Sequence, residues 1–195
     1  MVGRPREFDV DDALDAAMKA FWSKGYEATS LTDLMAATGL HKGSLYQTFG
    51  DKHSLFIQAL KRYLDAMRSR KNELLRHAPT PLEGIRSVMH SMIDIADDDS
   101  ICPGGCMAIN SLVELAPHDS EVREIMADHS ARMRASLEES IGNAQLAGEI
   151  SKERTPELIA AMLMTFMAGI ASTLRGNLNK DQAHVLLDAQ LKALA

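Results

Sequence analysis

The sequence predicts an all-α fold, and three observations carry that prediction. Apolar residues recur at three- and four-residue spacing along almost the whole chain. β-Branched residues seldom alternate with polar ones, and no Asn-Gly or Asp-Gly pair separates apolar runs as a hairpin would. Glycines and hydroxyl or acidic capping residues bound the periodic segments. The organisation that follows is a compact N-terminal unit (residues 1–51), a long shared helix (52–77) and a larger helical bundle (78–195).

The first helix runs from about Asp9 to Lys24, with Val10, Leu14, Ala17, Met18 and Phe21 on one face and Gly25 as its stop. Ser30 is the expected N-cap of a short helix, Leu31 to Thr38, that Gly39 ends. Another short helix spans Lys42 to Phe49 and stops at Gly50. Asp51 then caps the long helix from Lys52 to His77, where Leu55, Phe56, Ala59, Leu60, Tyr63, Leu64 and Met67 keep helical spacing. Pro79 and Pro81 mark the boundary in HAPTPLEG, because proline cannot sit inside a helix. Beyond it the periodicity gives Leu82 to Ala96, Met107 to Leu115, Ser120 to Ala147, Pro156 to Leu174 and Asp181 to Leu194. Thr155 caps the fourth of these, with proline at its first position.

With 46% hydrophobic and 25% charged residues, the chain has the composition of a folded globular protein with a substantial core. The N-terminus is basic without an apolar stretch behind it, so no secretory signal is expected. The uncharged run from Leu158 to Leu174 reaches the short end of the roughly 17–25 residues that a membrane span needs. Thr165, Gly169, Ser172 and Thr173 interrupt it and nothing polybasic flanks it, so a buried bundle helix is expected. Charge is unevenly placed. Residues 1–77 carry 12 Lys+Arg against 10 Asp+Glu, and residues 78–195 carry 9 against 17. The overall charge of -6 therefore belongs to the bundle, and a local basic surface in the first part remains able to attract phosphate.

Residues 30–49 place two short helices around a tight glycine turn, with Leu34, Leu40, Leu45 and Phe49 spaced to lock them over the first helix. That is helix-turn-helix geometry, in which the second helix offers its N-terminal turn to the major groove. Any helix pair joined by glycine shares the spacing. The side chains at Lys42, Ser44, Tyr46, Gln47 and Thr48 add to it, because an exposed tyrosine among hydroxyls is unusual for a merely solvated face.

With GRPRE at the N-terminus, FWSKGYEATSL closing the first helix, and the block TDLMAATGLHKGSLYQTFGDKHSLF, the chain resembles the TetR family of bacterial transcriptional repressors over residues 3–64. The resemblance implies a cytoplasmic, dimeric DNA-binding regulator that reads a palindromic operator in double-stranded DNA and is released by a small-molecule inducer. In that pattern Lys42, Ser44 and Gln47 face base edges, Gln47 being suited to adenine N6 and N7. Ser30, Thr32, Tyr46 and Lys52 hold phosphates, and Gly43 lets the backbone approach the duplex. Arg4 and Arg6 form either a DNA-contacting arm or a frayed tail. His41 departs from the pattern, standing where many relatives have a small hydroxyl cap, and imidazole caps less well.

The resemblance also assigns the last two helices to a four-helix dimer interface through Met162, Phe166, Ile170, Leu174, Leu187 and Leu191; ordinary intrachain core is the alternative. The chain has twelve methionines. Those in the bundle, Met89, Met92 and Met107 among them, either fill the core or line an adaptable pocket, for which Asn110 and Phe166 are further candidates. Cys102 and Cys106 flank a Pro-Gly-Gly bend, with Cys106 near a helix N-terminus that favours thiolate. They are either free structural thiols or a redox or electrophile sensor. A helical thiol oxidoreductase is the remaining alternative, although C-x-x-x-C replaces the usual C-x-x-C. Two cysteines are too few for a metal, and no catalytic motif or cofactor signature is present.

Overall fold

The computed structural model describes residues 8–96 and 105–194, and the described residues fold as nine α-helices without strands. They are α1 (Val10–Lys24), α2 (Leu31–Thr38), α3 (Lys42–Phe49), α4 (Lys52–His77), α5 (Pro81–Ala96), α6 (Met107–Glu114), α7 (Ser120–Leu146), α8 (Pro156–Leu174) and α9 (Lys180–Lys192). Two differences from the sequence reading have simple causes. Pro81 lies inside α5 as its first residue, where the missing N–H is not needed. α9 begins at Lys180 because Asn179 and Gln182 form a reciprocal capping box.

Caps do much of the local specification. Ser30 and Asp33 close a capping box on α2, and Gly39 ends that helix in the left-handed conformation at φ 69°. A β-carbon would be strained there, so glycine fixes the turn between the two short helices.

Two apolar cores organise the chain. The first gathers Ala17, Phe21, Leu34, Leu45, Phe49, Leu55, Phe56 and Leu60 from α1 to α4. Phe21 meets Phe56 edge-on at 5.2 Å between centroids, and Trp22 meets Tyr63 edge-on at 4.7 Å. This core does not stop at α4. It continues into Met107, Ala108, Leu115, Val122 and Met126, so α6 and the start of α7 pack directly on the N-terminal unit. The second core joins Ile85, Met89, Ile93, Leu137, Ile141, Ile159, Leu163, Leu187 and Leu191 from α5, α7, α8 and α9. α9 is fastened to α5 by a polar strip: His90 Nδ1 lies 2.5 Å from His184 Nδ1, with Asp188 beside His90 and Asp94 beside His184, both at 3.2 Å.

α8 has the length and composition of a membrane span. Its Ile159, Ala160, Leu163, Met167, Ile170 and Ala171 are buried in the bundle, but Leu158, Thr165, Gly169 and Thr173 are exposed. The expectation of a buried helix therefore holds for one face only.

Asp119 ties the two parts at a third place. It caps α7 by accepting from Val122 N at 3.0 Å, and its other oxygen lies 2.6 Å from His53 Nε2 on α4. The Val122 amide, and then His53, hold its carboxyl below the ordinary value of 3.8. A depressed acid contributes stability that is complete above its unfolded value and is lost as pH falls through the folded one. The melting temperature is expected to drop below about pH 4, and less steeply in Asp119→Asn. Parallel melts from pH 3 to 6 check this, and equal slopes would refute it.

Candidate nucleic-acid interface and effector cavity

The outer face of α3 is built by helical phase. Leu45 and Phe49, four residues apart, are buried in the first core. Lys42, Gly43, Tyr46 and Gln47 consequently stand outside, and Ser44 is half-buried. Tyr46 is 38% exposed, unusual for an aromatic in a chain with so few. Lys42 Nζ lies 5.7 Å from the centre of the Tyr46 ring, so cation and aromatic present one surface.

The N-terminus of α3 is open. His41 occupies the cap position without a side-chain hydrogen bond, and the first turn holds no acid. Its leading amides and their partial positive charge face outward, an arrangement that receives phosphate readily. A β-carbon at Gly43 would meet nothing within 4 Å among the described residues, which leaves room above it for another molecule.

The proposed phosphate holders differ among themselves. Thr32 is exposed on the first turn of α2. Ser30 is also exposed, but its hydroxyl donates to Asp33 at 2.7 Å and accepts from the Asp33 amide at 3.1 Å, so it serves as the helix cap. Lys52 is half-buried with its ammonium 4.4 Å from the centre of the Tyr26 ring, which aims it from the start of α4. Arg4 and Arg6 lie outside the described residues.

The second feature is a cavity of about 100 Å³ between α4, α5, α6, α7 and α8. Seven methionines line it: Met67, Met89, Met92, Met126, Met133, Met164 and Met167. More than half of the chain's twelve therefore surround one space, and thioethers adapt to a guest more readily than branched side chains. The polar groups on the wall are Tyr63, Cys106, His129 and Ser130, with the Tyr63 hydroxyl 3.4 Å from Cys106 Sγ. Cys106 is the N-cap residue of α6 and carries a free thiol. Cys102 lies outside the described residues.

Of the expected pocket residues, Met89, Met92 and Cys106 reach this wall and three do not. Met107 is buried in the first core, because successive residues of α6 turn by about 100° and put Ala108 and Leu112, but not Met107, on the cavity side. Asn110 also sits off the wall. Phe166 faces an external groove with Thr165, Gly169, Thr173 and Leu186.

The dimer-interface expectation needs a similar correction. Leu187 and Leu191 are fully packed inside the chain's own second core, Ile170 is buried with them, and Leu174 lines the cavity. The face that α8 and α9 leave uncovered carries Leu158, Val185 and Leu186, 50%, 68% and 45% exposed, with Met162 and Phe166 half-buried beside them. Of the expected interface residues, Met162 and Phe166 therefore lie on this uncovered face, and Ile170, Leu174, Leu187 and Leu191 turn inward.

Several contacts joining cavity to reading head carry no sequence signal. Trp22 Nε1 donates to the carbonyl of Gly105 at 2.6 Å, one residue before Cys106. At the far end of α6, Glu114 accepts from the backbone amides of Tyr26 and Glu27 at 3.1 and 2.9 Å. α6 thus has one side on the cavity, a hold on α1 just before its start and a hold on the α1–α2 connection at its end.

Residues 13–59 match the family model for bacterial regulatory proteins, tetR family, and residues 81–188 match that for the tetracyclin repressor-like C-terminal domain. The HTH-type transcriptional repressor ComR of Escherichia coli K12 is 32% identical over 173 residues, covering 89% of this chain and 82% of its own. The uncharacterized HTH-type regulator YezE of Bacillus subtilis 168 is 30% identical over 200 residues, covering 99% and 100%. Among solved structures, a cysteine mutant of the TetR family regulator CifR complexed with 26-bp double-strand operator DNA superposes with a TM-score of 0.87 at 26% identity, over 99% of this chain and 100% of that one.

Proposed function

Because the chain belongs to the tetR family of bacterial regulatory proteins, and is thus a DNA-binding transcriptional regulator, we propose that it is a cytoplasmic dimeric repressor, released from a palindromic operator by a small, largely apolar effector. The observation that carries the reading is the outward display of Lys42, Tyr46 and Gln47 over a helix whose inner face is locked by Leu45 and Phe49. Lys42, Ser44 and Gln47 read base edges, and Thr32, Tyr46, Lys52 and the free amides of α3 hold phosphates. The functional units are residues 1–51 for DNA, with 52–77 as the lever, and 78–195 for effector and partner.

One reading head spans few base pairs, so two are needed for useful specificity, and a two-fold dimer supplies them in palindromic register. Leu158, Met162, Phe166, Val185 and Leu186 form the dimer face. An effector that enlarges the cavity moves α6, and α6 moves α1 through Gly105 and Glu114. The spacing of the two heads then shifts, and the DNA-competent population falls by the effector's differential affinity for the two states. No step requires catalysis. Cys106 on the cavity wall, beside a hydroxyl and at a helix N-terminus, gives a second reading in which the effector is a thiol-reactive electrophile.

Selection of random duplexes by the purified protein tests the proposal, and the expected product is a palindrome bound by two chains. Gly169→Leu is the companion variant. A β-carbon there meets nothing within 4 Å among the described residues, so the substitution should leave the fold intact while obstructing a partner helix. Light scattering should then report monomers and the palindrome should bind at least tenfold more weakly. A non-palindromic product, or unchanged dimers in Gly169→Leu, would refute the dimer face.

A further inference from the structure

A second cleft opens beside the methionine-lined cavity, between α4 and α7, with a volume of about 310 Å³. His129 and Met133 belong to the walls of both, so the two spaces are neighbours sharing a partition. The cleft is strongly basic, but most of its cations are already committed. Arg68 pairs with Asp65 at 2.9 Å, Arg132 with Asp128 at 2.8 Å, and Lys61 lies 3.8 Å from Glu121. Lys71 and His129 are left over. Neither forms a hydrogen bond or ion pair among the described residues, and both are half-buried.

Leaving two basic groups partly buried and unpaired is unfavourable, and the consequence is visible in each. Burial, and then the charge of Arg68, lower the Lys71 ammonium from its ordinary value, although Glu139 acts the other way. Burial, and then Lys71, lower the His129 imidazole, with Asp128 opposing. An anion between them would relieve both terms together.

Resting on the effector reading above, we propose that the effector is a monoanionic amphiphile, a carboxylate with a compact apolar body: the body fills the methionine-lined cavity, and Lys71 and His129 hold the carboxylate in the adjoining cleft. One free ammonium and one imidazole match a single negative charge better than a doubly charged phosphate ester. About 100 Å³ accommodates a short alkyl group, being less than the roughly 150 Å³ of an apolar cavity that takes benzene. Ser130, on the same wall, supplies a hydroxyl near the partition.

Calorimetry on the full-length protein tests this with straight-chain carboxylates from butanoate to decanoate against 1-alkanols of equal length. The carboxylate is expected to bind at least tenfold tighter than its alcohol. Lys71→Met should reduce it to the alcohol's affinity while leaving the alcohol unchanged, and Lys71→Gln provides the same comparison should the first variant fold poorly. Carboxylate binding at pH 7.5 should also take up protons, seen as a heat that depends on the buffer's ionisation enthalpy; alcohol binding should not. Equal affinities, or a preference that survives loss of the Lys71 charge, would overturn the anion site and leave the cavity reading standing. Binding of neither series would overturn both.

Discussion

Trp22→Ala is expected to remove about 3–5 kcal/mol of stability, the usual cost of truncating a buried aromatic side chain. It should also separate the unfolding of the N-terminal unit from that of the bundle. The indole is 3% exposed, packs edge-on against Tyr63 and donates to Gly105 from the other side of the chain's topology. Truncation therefore opens a void next to the methionine-lined cavity and removes the indole's hydrogen bond to Gly105. Trp22→Phe keeps a ring and removes the N–H, with an expected loss of about 0.5–1.5 kcal/mol for that one hydrogen bond. Urea unfolding followed at two wavelengths measures both, and hydrogen exchange on α6 shows where the loss is felt. The wild type should unfold in one transition and Trp22→Ala in two. Coincident transitions in Trp22→Ala, with α6 exchange unchanged, would mean that α6 is not the coupling element. Glu114→Gln acts at the other end of α6. It should cost less, since an amide oxygen still accepts one of the two backbone N–H groups but not with a carboxylate's strength.

How much of this was readable before the structure depends on the range of the interaction. The helices were legible because their signals are local: Ser30 and Asp33 three residues apart, Gly39 just past Thr38, Thr155 before Pro156. The outward face of α3 was legible for the same reason, since Leu45 and Phe49 inward leave Lys42, Tyr46 and Gln47 outward at helical phase. Phase became ambiguous where both sides of a helix are apolar. On α8 and α9, Leu187 and Val185 look alike in sequence, and only packing against α5 decides which is core. α6 failed similarly, because Met107 and Ala108 are both buried in the first core but only Ala108 also reaches the cavity. The contacts of Trp22 with Gly105, Glu114 with Tyr26, and His53 with Asp119 join residues 66 to 88 positions apart, with no periodic marker to pair them. They join the N-terminal unit to the bundle, and no local pattern in the sequence marks them.

The remaining large effect is on DNA itself, and substitutions at three positions separate its physical parts. Lys42→Ala should weaken binding most on duplexes carrying the base that Lys42 reads and relax the preference at that position. If Lys42 instead holds a phosphate, the loss falls on every duplex alike and the dependence of log affinity on log salt flattens by about one charge. Gln47→Ala should cost about 1–3 kcal/mol on the selected operator and relax preference at a single base pair in each half-site, as expected for a bidentate adenine contact. Tyr46→Phe isolates the hydroxyl and should weaken binding less than Tyr46→Ala, which also removes the ring beside Lys42. These side chains lie outside the core, so the melting temperature should barely move, surface changes being worth within about 0.5 kcal/mol. Affinity measured by fluorescence anisotropy between 50 and 300 mM salt distinguishes all of these outcomes. The bundle holds the excess acid, 17 Asp+Glu against 9 Lys+Arg over residues 78–195. Its repulsion for the duplex should fade with added salt as well, within a Debye length of about 10 Å at 0.1 M. Base preferences untouched by both Lys42→Ala and Gln47→Ala would mean that α3 does not enter the groove.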